Sequence, residues 1–246
     1  MTRKVARQFS LAGSPPLFLL LLLAVRITAV TGAEVRGTVK LEHIGVFGQA
    51  PTTPESGPLS VAVFPLERGT PASGESKTHR VEIRDNRITP NYLAITRGDR
   101  VRFDNHDDVY HELFAVSAEN PFVLRLGKQK HGEVGSGEVQ SERSTTWHVF
   151  CRIHARTYAR IDVLDTPHIK MLTPGEPFAF RKLTPGRWRV RIATPGAETR
   201  TLETLARSSA PALNETLTVR RDAPGLQETS AQRIGIADLF PPEPGF

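Results

Sequence analysis

The sequence predicts an all-β protein made of packed two-sheet sandwiches, and three observations carry that prediction. Turn-forming Gly, Pro, Asn and Asp residues recur at roughly eight- to twelve-residue spacing. The stretches between them alternate apolar and polar side chains, which is the period of a half-buried strand. A hydrophobic content of 39% in 246 residues is ordinary for a chain that buries a core, so disorder is not the default reading.

Residues 1–33 read as a secretory signal peptide. They carry Arg3, Lys4 and Arg7, then the apolar run 17–25, then small residues through Thr31, Gly32 and Ala33. Arg26 ends the run short of the roughly 20 residues a membrane-spanning helix needs, which makes an uncleaved anchor the lesser reading. No cysteine stands near the cleavage site to carry a lipid. Removing this segment takes away four cations (Arg3, Lys4, Arg7, Arg26) and no acid, so the formal charge of +6 falls by four to +2. The mature chain has no long basic run interleaved with aromatics and gives no footprint for nucleic acid. Export places the protein in an oxidising compartment, the periplasm.

Next come strands at 35–39 and 59–63, joined by a Pro/Gly/Thr-rich loop, and a linker over 69–77. Together, residues 34–68 supply too little apolar strand to fold alone. The central block, 78–166, contributes strands at 81–83, 93–95 and 101–103, with Gly98-Asp99 as the turn between the last two. A strand from His111 puts Leu113 and Ala115 on the ligand's face. A strand from Trp147 runs into Cys151, and Ala159, Ile161 and Val163 then alternate with Arg160 and Asp162. This block suffices for a two-sheet sandwich. Residues 167–220 add strands at 178–180, 188–192 and 217–219, with Leu183-Thr184-Pro185-Gly186 as a turn. The expectation is that 34–68 and 167–220 pair into a second small sandwich around the inserted block. Residues 221–246, rich in Pro, Gly and charge, read as an extended or disordered tail.

The chemistry-bearing motif is Cys151-Arg152-Ile153-His154 at the end of an apolar strand, preceded by Asn105-His106-Asp107-Asp108-Val109-Tyr110-His111. Cys151 is the only cysteine, so it cannot form an internal disulfide, and an exposed thiol is a liability after export. One thiolate and two imidazoles are the set a trigonal copper centre needs, with a weak axial group beside them. Strand parity puts Trp147 and Val149 on the face of Cys151, and His148 and Phe150 on the other. Zinc is the rival metal, since Cys, His, His and an oxygen ligand suit it as well. An inert buried thiol is the plain alternative.

His106 fits the surface or the space behind the ligands, with Asn105, better than it fits ligation. Arg152 and Arg156 bracket His154 and read either as a cationic rim for an acidic redox partner or as solvated loop charge. His148 reads as a solvated or interface residue, and His43, His79, His131 and His168 are assigned no chemistry. A Cys151/His154 nucleophile pair lacks an orienting group, and no acid/base pair accompanies it, so the chain is not read as an enzyme.

These residues carry a resemblance. Asp99-Arg100-Val101-Arg102-Phe103-Asp104-Asn105, His111 and Cys151-x-x-His154 resemble the cupredoxin superfamily. More narrowly, Asn105 through His111, the Cys151 motif and the closing Asp165-Thr166-Pro167 resemble exported plastocyanin-like, or methylamine-utilisation, proteins. Leu183-Thr184-Pro185-Gly186-Arg187-Trp188 is similar to a carboxypeptidase-regulatory-like sandwich, whose opening strand would start at Val35. The likeness spans about Val35 to Ile192 and implies a Greek-key β-sandwich holding one copper ion as Cu(I)/Cu(II), in a monomer that transfers single electrons. The ligands it implies are His111, Cys151 and His154. The axial methionine is replaced by Thr157, which predicts a three-coordinate or water-ligated site. Glu112 departs from the small polar residue common after the first ligand. Copper delivery, or a metal-free β-rich interaction module, is the alternative function.

Overall fold

The computed structural model describes residues 32–44, 57–67, 75–117, 119–129 and 135–220. The signal-peptide reading of 1–33 (save Gly32 and Ala33), residues 69–74 of the linker, His131 and the tail 221–246 lie outside the described residues. Every regular element described is a strand, and no described helix is long and apolar enough to cross a membrane.

Sixteen strands follow in order. They are β1 (Ala33–Ile44), β2 (Leu59–Pro65), β3 (Thr78–Arg84), β4 (Arg87–Thr89), β5 (Tyr92–Thr96), β6 (Arg100–Asn105), β7 (His111–Val116) and β8 (Phe122–Leu126). The second half holds β9 (Gly135–Gln140), β10 (Thr145–Cys151), β11 (Tyr158–Leu164), β12 (Ile169–Leu172), β13 (Pro177–Leu183), β14 (Gly186–Ala193), β15 (Arg200–Ala206) and β16 (Leu213–Arg220).

Two sheets, β5-β11-β10-β7-β8 and β4-β3-β6-β9, enclose an inner core. Val81, Ile83, Phe103, Leu113, Trp147, Val149 and Ile161 fill it, each from the apolar phase of an alternating strand. Truncating such a residue to alanine costs about 2–5 kcal/mol. Two further sheets, β13-β1-β16 and β12-β2-β14-β15, enclose a second core around Val35, Val61, Phe178, Trp188 and Val190. Strands on either side of the inner block thus pair with one another: β1 with β13 and β16, β2 with β12 and β14. The parallel β1–β16 pairing depends on Gly37, because a Cβ there would overlap the Leu213 backbone.

The alternating polar face of β11 is covered rather than open. Arg160 and Asp162 occupy the polar phase of the alternation, yet Asp162 is 0% exposed, because β2 and β14 of the outer sandwich cover this side. Its carboxylate accepts bonds from Arg160 Nε at 2.9 Å, Arg191 Nη2 at 2.8 Å, Tyr92 OH at 3.0 Å and Thr146 Oγ1 at 2.9 Å. Ser60 Oγ completes the network 2.7 Å from the Tyr92 oxygen. Burial pushes the Asp162 carboxyl up, but the two guanidinium groups outweigh it and hold it below the usual carboxylate range. Burial, with Asp162 beside it, pushes the Tyr92 phenol up to about 12. A small apolar patch of Ala62, Ala94, Leu164, Phe64 and Met171 flanks this buried ionic staple.

Candidate metal centre

Two neighbouring strands of the inner sandwich deliver the candidate ligands. β7 opens with His111 and β10 closes with Cys151, and the antiparallel register sets Cys151 opposite Leu113. Opposite residues share a face and side chains two apart stay on it, so His111 lies diagonally across from Cys151. His154 follows on the loop between β10 and β11. That loop is tight: the Cys151 N–H donates to the Thr157 carbonyl at 3.2 Å, and the Thr157 N–H to the His154 carbonyl at 3.1 Å.

The three candidate ligand atoms converge. Cys151 Sγ stands 3.5 Å from His111 Nδ1 and 3.7 Å from His154 Nδ1, and the two nitrogens are 3.2 Å apart. A triangle of those sides has a point about 2.0 Å from every corner, which is the length of a metal–imidazole bond and a few tenths short of a metal–thiolate bond. The donor chemistry fits as well, since a soft thiolate with two imidazoles suits copper or zinc. Among the described residues, His111, Cys151 and His154 form the group able to hold a metal ion.

Asp107 gives the centre its orientation, a role that its place in the 105–111 motif does not disclose. Its carboxylate lies 3.0 Å from His111 Nε2 and so directs Nδ1 toward the cysteine. It also accepts the N–H groups of Asp85 at 2.7 Å and Asn86 at 3.0 Å. Burial pushes the Asp107 carboxyl up, and these bonds overcome it, leaving it below its ordinary value. Asn105, fully buried, clamps the approach to His111: its amide donates to the Val109 and Gly127 carbonyls at 2.8 Å each, and its Oδ1 accepts the Asp107 N–H at 3.0 Å.

The electrostatics favour a thiolate. Burial raises the Cys151 thiol, but bonds from His111 and from the N–H groups of Ile153 and His154 bring it down to about 6. For His111, burial lowers the imidazole, and its bonds to Cys151 and Asp107 outweigh that and raise it above the ordinary value.

Thr157 is 1% exposed, and its hydroxyl donates to the Asn86 carbonyl at 2.7 Å. His106 stands apart from the ligand group, with Nε2 3.9 Å from Glu82. Arg152 meets the Glu112 carboxylate at 3.0 Å, and Arg125 reaches its other oxygen at 2.9 Å, so Glu112 offsets rim charge. Arg156 is exposed. His148 lies away from the ligands, half-buried, with Nδ1 3.0 Å from Tyr158 OH. Met171 places its sulfur 3.3 Å from the Ala94 N–H, at the junction of the two sandwiches. Around the ligand loop, Ile153 and Tyr110 are 59% and 58% exposed.

No family model matches this chain, and no curated protein sequence does. Solved structures do match. A proline-to-glycine variant of amicyanin, in its reduced Cu(I) form at pH 4, is 15% identical over 42% of this chain and 98% of its own, with a TM-score of 0.31. An oxidised methionine-to-lysine variant of amicyanin is 17% identical over 35% of this chain and 80% of its own, with a TM-score of 0.30. A Cu(I) methionine-to-alanine variant is 17% identical over 42% of this chain and 92% of its own, with a TM-score of 0.31. The all-β arrangement stands on the strand pairing of this chain. The donor atoms of this chain, rather than that likeness, point to a metal.

Proposed function

We propose that this protein is a mononuclear copper protein of cupredoxin type that carries single electrons in the periplasm. One observation supports the reading above the others: a thiolate-forming sulfur and two imidazole nitrogens, 3.2 to 3.7 Å apart, converge at one end of a packed β-sandwich. His111 Nδ1, His154 Nδ1 and Cys151 Sγ would hold the ion, which when bound supplies a one-electron Cu(I)/Cu(II) couple. His111 is locked by Asp107, and Cys151 is fixed by its place in β10, so neither has freedom to follow a change of ion charge. His154 is only partly buried and is the ligand nearest solvent. A redox partner would therefore cover the surface of Ile153 and Tyr110, with acidic groups meeting Arg156. The periplasmic setting rests on the signal-peptide reading of residues 1–33.

The test is Cys151→Ser in copper-loaded protein. Loss of stoichiometric copper and of any sulfur-to-copper charge-transfer absorption is expected, and retention of both would refute the ligand set. Voltammetry separates carriage from delivery: an electron carrier gives a reversible wave, whereas tight Cu(I) retention without one would assign the site to copper delivery.

A further inference from the structure

A pocket of about 560 Å³ opens beside the ligand loop. Arg87, Thr89 and Asn91 line it from the β4–β5 side, and Ala155, Arg156 and Tyr158 from the loop that carries His154. Its described lining contains no acidic residue. Most arginines of this chain stand within ion-pair distance of a carboxylate, as Arg80, Arg97, Arg100, Arg125 and Arg200 do. Among the described residues Arg87, Arg156, Arg189 and Arg207 have no such partner, and of these Arg87 and Arg156 line one pocket together. Two arginines lining one space concentrate positive charge there, and their planar guanidinium forks match carboxylate or phosphate oxygens. The Asn91 amide and Thr89 hydroxyl add neutral donors. Tyr158 contributes ring surface, its hydroxyl lying 3.0 Å from His148. Pro58 and Pro90 add apolar surface to the lining. The volume falls in the range that holds small organic ligands.

We propose that this pocket binds a small multivalent oxyanion, with Arg87 and Arg156 as paired clamps on its charged ends. None of the three candidate metal ligands lines the pocket, so it is tested on the metal-free protein. Succinate and inorganic phosphate would each be titrated by calorimetry into the metal-free full-length chain at constant ionic strength, alongside R87Q, R156Q and, as a control outside the pocket, R189Q. Saturable succinate binding is expected, weakened about tenfold or more by R87Q and by R156Q and unchanged by R189Q. Phosphate binding with the same pattern would also support the site and would identify phosphate as the group it recognises. Failure of both anions to saturate, or equal weakening by all three variants, would overturn the proposal.

Discussion

The Asp107 carboxylate lies 3.0 Å from Nε2 of His111, on the side of the ring away from Cys151. A carboxylate in that position fixes the tautomer of a ligating imidazole and strengthens it as a donor. Asp107→Asn removes the charge and keeps one acceptor oxygen, which can serve either the Asp85 N–H or the Asn86 N–H and His111 Nε2, since these bond different oxygens of the carboxylate. Metal affinity should fall about 10- to 100-fold, alongside a stability loss of about 1–3 kcal/mol from the loop N–H left without an acceptor. Chelator-competition titration of Asp107→Asn against the parent protein measures this, and equal affinities would make the carboxylate a loop staple only.

Metal uptake should depend on pH with a fixed sign. Only the thiolate and the neutral imidazole ligate. With the Cys151 thiol brought down to about 6 and His111 raised above its ordinary value, the bond between them shifts the proton of the metal-free centre from sulfur toward imidazole. Binding displaces that proton, so affinity should fall by up to about tenfold per unit as pH drops. Below about 6 the sulfur also takes up a proton and the slope should steepen. Affinity measured between pH 8 and pH 5 checks this, and a flat profile would contradict that shift.

The ligand-bearing residues were legible because spacing and strand parity are local properties. Cys151, Trp147 and Val149 share a face for the reason any period-two strand imposes. The contribution of Asp107 was not legible, since nothing in a loop of charged and polar residues says which carboxylate will fold back on an imidazole four positions later. β9 escaped notice because Gly135-Ser136-Gly137-Glu138-Val139-Gln140 has a single apolar side chain, and as a sheet edge it needs no more. The burial of Asp162 was not legible for a different reason. Alternation separates the two faces of a strand but does not tell whether a second sandwich will later cover the polar one.

Thr157 tests what replaces an axial ligand. Its hydroxyl donates to the Asn86 carbonyl at 2.7 Å, and the Asn86 N–H in turn donates to Asp107, which holds His111. The hydroxyl thus ties the ligand loop to the support of the opposite ligand. Thr157→Val should leave a partly buried carbonyl without its donor and cost about 1 kcal/mol of stability. Copper stoichiometry and the charge-transfer maximum should stay where they are in the parent. A large shift of that maximum would instead make the Thr157 oxygen a ligand.

Asp162 joins the two sandwiches through a fully buried carboxylate held by two partly buried arginines. Removing the carboxylate leaves Arg160 and Arg191 partly buried without their counter-charge, so Asp162→Asn should cost roughly 3–5 kcal/mol in chemical denaturation. Adding Arg191→Met should recover part of that loss, because it removes one of the two stranded cations. The pH dependence follows from the depressed carboxyl. As pH falls, the unfolded chain takes up the proton first, so the stabilisation is complete above the unfolded value of 3.8 and disappears as pH drops through the lower folded value. The parent should therefore lose stability at this junction only below about pH 4. Asp162→Asn should lack that component of the acid transition. If the double variant were no more stable than Asp162→Asn alone, stranded charge would not be the reason for the loss.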